Sequence, residues 1–170
     1  MNGKMTLLTL KATGHVLGAL TRTGSPDGTL TAEDVAGALA VRDATSGAVL
    51  HHVPAALLSV VPVDRNDDLL FQPSSYAVVN GAAQLLAPAS GLTVKLTLTS
   101  LEVEGSQATL PVGTNVWAQI GDQPPMVAAA IAASSTGKST VTFNLALQSD
   151  THHLLVLATG YRAYRETKAL

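Results

Sequence analysis

The chain has 170 residues, enough to bury a sizeable hydrophobic core, and 46% of them are hydrophobic. Only 13% are Asp, Glu, Lys or Arg, whereas these residues make up roughly a quarter of soluble domains. The formal net charge is −2, so the chain lacks the basic excess that binds nucleic acid or an anionic membrane, and we predict neither partner.

Cysteine is absent, which excludes disulfides, thiolate catalysis and cysteine-ligated zinc. The N-terminal apolar residues are interrupted by Thr6 and Thr9, so they lack the unbroken run of a signal peptide. The longest apolar run, residues 126–133, is far too short to cross a membrane. We therefore expect cytoplasmic synthesis with no signal peptide, no transmembrane segment and no cofactor.

The first part of the chain predicts short strands joined by polar turns. Residues 39–42 and 48–53 flank a link of Asp, Ser and Gly, which favour turns, so they predict a β-hairpin. A sequence similar to a capping box at Thr31 predicts a short helix over residues 32–38. For residues 54–61 we favour a strand over a helical turn. Further strands are predicted over residues 7–12, 16–22, 57–63, 69–71 and 76–80.

The second part of the chain contains the clearest alternation of apolar and polar residues. Residues 92–99 predict a half-buried strand, and the reversal of the pattern after Ser100 predicts a bulge or bend. Residues 140–147 alternate in the same way, and residues 153–161 are apolar on both faces. These two segments predict a hairpin whose second strand is covered on both sides. Strands are also predicted over residues 115–120 and 126–132.

Turns that recur at roughly 8–12 residues predict an all-β fold. We expect a single antiparallel β-sandwich, with a β-barrel as the alternative, and at most one or two short helices. Residues 1–68 form a more charged half and residues 69–170 a charge-poor half. Because no linker separates them, we predict a single β-rich domain over residues 1–170.

The histidines provide the candidate metal ligands. They occur as the neighbours His51 and His52 and the neighbours His152 and His153. Adjacent residues of a strand point to opposite faces, so neither pair can chelate a metal alone. One histidine of each pair, together with Asp150, has the donor types of a zinc site. Since nothing in the sequence brings the two pairs together, we predict no metal.

Two further motifs fail on their spacing or context. Residues 64–68 begin like a calcium-binding loop, but Leu69 and Ser75 stand where Gly and Glu are required. Residues 132–139 resemble a phosphate-binding loop but lead into a strand, so we predict a hairpin turn there. Glu102 and Glu104 share a strand face, which we assign to solvent. We therefore predict no catalytic residue and no enzyme activity.

Aromatic residues make up only 4% of the chain, and Trp117 is the single tryptophan. A flat aromatic ring is what sugar-binding modules present to a sugar, so Trp117 is the candidate ligand-binding residue. Its place in an apolar strand favours a core position. A ligand-binding or adhesion module, for glycans in particular, is the alternative function.

The scarcity of charge is the most informative feature of the chain. Residues 69–137 contain only four charged side chains, which are Lys95, Glu102, Glu104 and Asp122. The cores of protein interfaces are depleted in charge, and monomers seldom expose large uncharged patches. The sequence therefore predicts a structural, self-assembling subunit of a homo-oligomeric particle, tail-like machine, filament or surface array. Its partners would be copies of itself and other subunits of a phage-like or virion assembly.

Overall fold

The computed structural model describes residues 4–21, 31, 38–42, 46–105, 110–132 and 139–170. Its fold is all-β with antiparallel strand pairing, and one α-helix occurs among the described residues, as predicted. The chain divides into two compact units, Met1–Leu86 and Ala87–Leu170. The boundary at residue 68 that charge density indicates falls inside the first unit. The single domain over residues 1–170 stays a prediction.

Among its described residues, the first unit contains a three-stranded sheet, in the order β2-β1-β5, and the hairpins β3-β4 and β6-β7. The predicted hairpin around residue 45 is confirmed as β3-β4. A small core joins the sheet to the helix through Met5, Leu7, Val16 and Leu69. The elements are β1 (Lys4–Leu10), β2 (Val16–Thr21), β3 (Ala38–Arg42), β4 (Val49–Pro54), β5 (Leu58–Asp64), α1 (Asp67–Phe71), β6 (Tyr76–Val79) and β7 (Ala82–Leu85).

The predicted strand at residues 69–71 is wrong, because these residues lie in α1. The side chain of Asn66 accepts a hydrogen bond from the Asp68 amide at 2.9 Å, which caps the helix. Asp67 and Asp68 in the first turn suit the positive end of the helix dipole. Residues 54–61 combine both alternatives, with a 3-10 turn at Ala55–Leu57 followed by β5. Of the helix predicted over residues 32–38, residues 32–37 lie outside the described residues, and Ala38 begins β3.

In the described part of the second unit, the strands form two four-stranded antiparallel sheets, in the orders β11-β10-β14-β15 and β12-β13-β9-β8. Buried residues of both sheets belong to one hydrophobic cluster, including Leu101, Val103, Val116 and Val156. This arrangement is compatible with the sandwich, which itself stays a prediction. The elements are β8 (Leu92–Leu96), β9 (Ser100–Gly105), β10 (Asn115–Ile120), β11 (Met126–Ala129), β12 (Ile131–Ala132), β13 (Ser139–Asn144), β14 (Thr151–Ala158) and β15 (Tyr164–Ala169).

Of the predicted bulge or bend near Ser100, the structure has the bend, at residues 98–99 in the tight turn before Ser100. Residues 92–105 form the hairpin β8-β9, in which Leu96 pairs with Leu101. The hydroxyl of Thr97 accepts the Ser100 amide at 2.9 Å and thereby closes the turn. The strand predicted over residues 92–99 ends at Leu96, and Leu98 lies in the turn and is exposed.

The hairpin predicted between residues 143 and 161 is also wrong. β13 pairs with β12 and β9, whereas β14 pairs with β10 and β15 in the other sheet. The chain after β13 stays beside the β8-β9 turn, because the Leu145 and Leu147 amides donate to the carbonyls of Thr99 and Leu98 at 2.8 Å. β14 itself behaves as predicted, since residues 154–158 are buried on both faces.

Candidate functional site

The chain changes from one sheet of the second unit to the other at Ala130. The Ala130 amide donates to the Thr114 carbonyl and its carbonyl accepts the Gly113 amide, both at 2.8 Å. Ala130 is only 1% exposed, so this crossing point is anchored in the core. Residues 126–132 therefore supply β11 at the edge of one sheet and β12 at the edge of the other. We call these residues the neutral edge.

Side chains of the neutral edge alternate between core-facing and exposed positions, and this alternation continues through the change of sheet. Met126, Ala128 and Ala130 contact the core of the second unit. Val127 and Ile131 are 54% and 68% exposed. Val127 lies on β11 and Ile131 on β12, and each of these strands pairs on one side only within the described part of the chain.

The neutral edge lacks two of the features by which proteins protect sheet edges, which are charged side chains and proline. Residues 123–137 contain no Asp, Glu, Lys or Arg, and no proline interrupts β11 or β12. Exposed edges normally carry charged side chains or proline, because an open row of backbone N–H and C=O groups otherwise pairs with another chain. The neutral edge is therefore suited to addition of a further strand.

The opposite edges of the same two sheets are protected. β15 carries Arg165, Glu166 and Lys168, and β8 carries Lys95. The Lys168 ammonium donates to the Leu96 carbonyl of β8 at 3.0 Å, so one lysine spans both edges. The charged and neutral edges thus differ in their capacity to pair with another chain.

A polar dish of about 300 Å³ lies on the outward face of β8, β9 and β13. In the strand register, Lys95 and Thr142 flank Glu102 on either side. Thr93, Thr140 and Glu104 complete the lining of the dish. Its carboxylates, hydroxyls and ammonium group can bond a polar ligand, but the dish contains no aromatic ring for a sugar to stack on.

The histidine candidates lie in different units, with His51 and His52 on β4 and the others on β14. His152 donates to the Gln148 carbonyl at 2.9 Å, and His153 shares a hydrogen bond with the Thr167 hydroxyl at 3.0 Å.

The other metal candidates have local polar partners as well. The Asp150 carboxylate accepts the Thr151 amide at 2.6 Å. Among the described residues, no group of three or more His, Asp or Glu side chains is placed to hold a metal ion.

In the loop similar to a calcium site, Asp67 bonds Arg65 at 2.9 Å and Asn66 caps α1. Residues 133–138 of the loop similar to a phosphate site lie outside the described residues.

Trp117 is completely buried in the centre of β10, between Val127 of β11 and Leu157 of β14. A ring in this position presents no face to a sugar. The Trp117 indole N–H has no hydrogen-bond partner among the described residues. Trp117 therefore has the surroundings of a core residue and not of a ligand-binding platform.

The sequence directed attention to residues 69–137 but did not single out the neutral edge. The available signal was the uncharged apolar run after Pro124 and Pro125, which predicts a strand and not its position in a sheet.

No helix in the described part of the chain is long and apolar enough to span a membrane. Comparison of the chain with protein-family models, curated proteins and solved structures finds no match.

The single tryptophan permits a direct test of its role. We expect Trp117→Ala to destabilise the protein by about 3–5 kcal/mol, because it removes a large buried ring. Trp117→Phe should cost less, because it keeps an apolar ring and removes an unbonded N–H. Urea unfolding followed by circular dichroism measures both, and equal losses for the two variants would contradict the core assignment.

Tyr164 and Glu166 on the protected edge strand β15 predict that the stability of the protein depends on pH. The Tyr164 hydroxyl donates to the Glu166 carboxylate at 3.1 Å. Burial raises the pKa of Tyr164 above the ordinary value of 10.0, and the hydrogen bond and negative charge of Glu166 raise that pKa further. The folded protein therefore keeps this proton at a pH where the unfolded chain loses it. Its contribution to stability is complete below pH 10 and is lost as the pH rises through the folded pKa.

The ultraviolet absorbance of tyrosinate measures this titration. We expect Glu166→Gln to lower the pKa of Tyr164 and Tyr164→Phe to remove the corresponding absorbance step. Tyr76→Phe serves as the control and should leave that step in place. A step that is unchanged in the Glu166→Gln variant would show that Glu166 does not act on Tyr164.

Proposed function

We propose that this chain is a structural subunit that assembles with other copies of itself through the neutral edge. The observation that carries the proposal is the change of sheet at Ala130, which leaves two uncharged strands at sheet edges on one continuous segment. Such a segment offers backbone hydrogen bonds and apolar side chains to another chain at the same place. A homo-oligomeric particle, tail-like machine, filament or surface array, with further subunits as partners, is the class of assembly we infer.

The energetics favour covering this segment. Val127 and Ile131 are β-branched side chains exposed on a strand, and burial of one such side chain contributes roughly 1.5–3 kcal/mol. Val112, which is 69% exposed, lies one residue before Gly113, whose amide bonds Ala130. None of these three side chains carries a charge, so covering them removes no charged group from water. A lone subunit obtains none of this stabilisation.

The polar dish supports the second candidate function, a ligand-binding or adhesion module. Thr93, Thr140 and Thr142 surround the two carboxylates with hydroxyls, which suits a neutral polar ligand. A glycan array tests this candidate. Hits that the variant Thr142→Val abolishes would support it, and an array without hits would count against it.

The assembly proposal predicts a mass above that of one 17.4 kDa chain. Light scattering coupled to size exclusion should give a stoichiometric oligomer for the unchanged protein. The variant Ile131→Lys should weaken assembly at least about tenfold, or ~1.4 kcal/mol, because the contact would then have to desolvate charges.

The matched control is Leu85→Lys, since Leu85 is 64% exposed and Ile131 is 68% exposed, and Leu85 lies on β7 of the first unit. This control should leave the oligomer intact. A 17.4 kDa monomer at high concentration would overturn the proposal. Equal effects of the two lysine variants would mean that the neutral edge has no special part in assembly.

A further inference from the structure

The hydrogen-bond pattern of β10 determines which backbone groups of β11 point away from the sheet. Ala130 bonds the β10 side through both its N–H and its C=O. The Thr159 amide bonds the Asn115 carbonyl, so Asn115 points to β14 and Val116 points to β11. Val116 pairs with Ala128, and bonding positions alternate along an antiparallel pair. Ala128 therefore bonds β10, whereas the N–H and C=O groups of Val127 and Ala129 point outward.

These outward groups are self-complementary. We infer that two copies of this chain pair through β11 about a two-fold axis at Ala128, an inference that rests on the proposed function. In this register Val127 lies opposite Ala129 of the partner subunit, and Ala129 lies opposite the partner's Val127. Each pair exchanges two N–H···O bonds, so the contact contains four. The symmetric arrangement uses the same patch on both copies, as isologous dimers do.

Side-chain size is compatible with this register. Ala128 meets its own copy at the axis in a pair without direct hydrogen bonds, where Cα atoms approach to about 4.5 Å. Alanine is small enough for that approach. On the sheet face opposite Ala128, the larger Val127 lies beside the smaller Ala129 of the partner subunit. The two sheets then become one continuous sheet with β11 strands at its centre.

Charge selects a second copy as the occupant and β11 as the strand that pairs. The contact about Ala128 brings together no charged side chains, because residues 123–137 contain none. The same arrangement of β15 would bring Arg165, Glu166 and Lys168 into the contact, so these charged side chains would have to give up water. β15 is therefore less suited to such a contact than β11. An acidic or basic peptide finds no charge complement on β11.

A cysteine at the axis tests the pairing, and the absence of native cysteine makes the test clean. The variant Ala128→Cys should form a covalent dimer under mild oxidation, because Cα atoms at about 4.5 Å suit a disulfide. The variant Ala169→Cys, which places an exposed cysteine on the protected edge strand β15, is the matched control and should remain mostly monomeric. Equal cross-linking of the two variants would overturn the two-fold pairing.

A second variant covers the case in which Ala128→Cys fails to fold. Ala129→Pro removes one outward N–H, and edge strands tolerate proline where that N–H faces solvent. It should keep the circular dichroism spectrum of the unchanged protein and lose the dimer contact in light scattering. An oligomer that persists in a folded Ala129→Pro variant overturns the pairing but leaves the proposed function standing. A monomeric unchanged protein overturns both.

Discussion

The hydrogen bonds that hold Ala130 against the turn before β10 determine the architecture of the second unit. They keep the chain at the boundary between two sheets. Residues 126–129 therefore form an edge strand of one sheet, and residues 131–132 form an edge strand of the other. Ala130 is buried, and its small side chain lets the backbone cross beside the shared core. As a consequence, one short uncharged segment provides the edges of both sheets.

The two sides of the second unit are therefore chemically different. On the protected side, Lys168 reaches from β15 to the Leu96 carbonyl, and charged residues alternate along the strand. On the other side, alanine, valine and isoleucine follow one another without charge. A single charged side chain, lysine in particular, can protect an edge strand from pairing with another chain. Its absence from β11 and β12 is the physical basis of our proposal that this side is covered by another copy.

Local patterns predicted much of the fold but not its turns and strand order. The strand at Asn115–Ile120 has the predicted bounds, and the alternation from Leu92 onward identifies residues of the core. The turn after Leu96 was missed because it contains no Gly, Pro, Asn or Asp, and a threonine hydroxyl closes it instead. Phe71 and its two apolar neighbours read as a strand, although the Asn66 cap makes them helical.

The candidate site was harder to predict because it depends on strand order. Alanines at positions 128–130 carry no pattern that marks a change of sheet, so the segment reads as one strand. Low charge between residues 69 and 137 indicated a surface to be covered, but not which strands lie at an edge. The wrong hairpin prediction for β13 and β14 has the same cause, since partners in different sheets cannot be inferred from neighbouring residues. Edges are a property of the assembled sheet.

The most direct test of the role of the neutral edge is backbone amide exchange measured by nuclear magnetic resonance at several protein concentrations. If copies pair through β11, the amides of Val127 and Ala129 gain protection as the concentration rises, while the exposed edge of β15 does not change. Exchange at Val127 and Ala129 that is fast and independent of concentration would contradict the account.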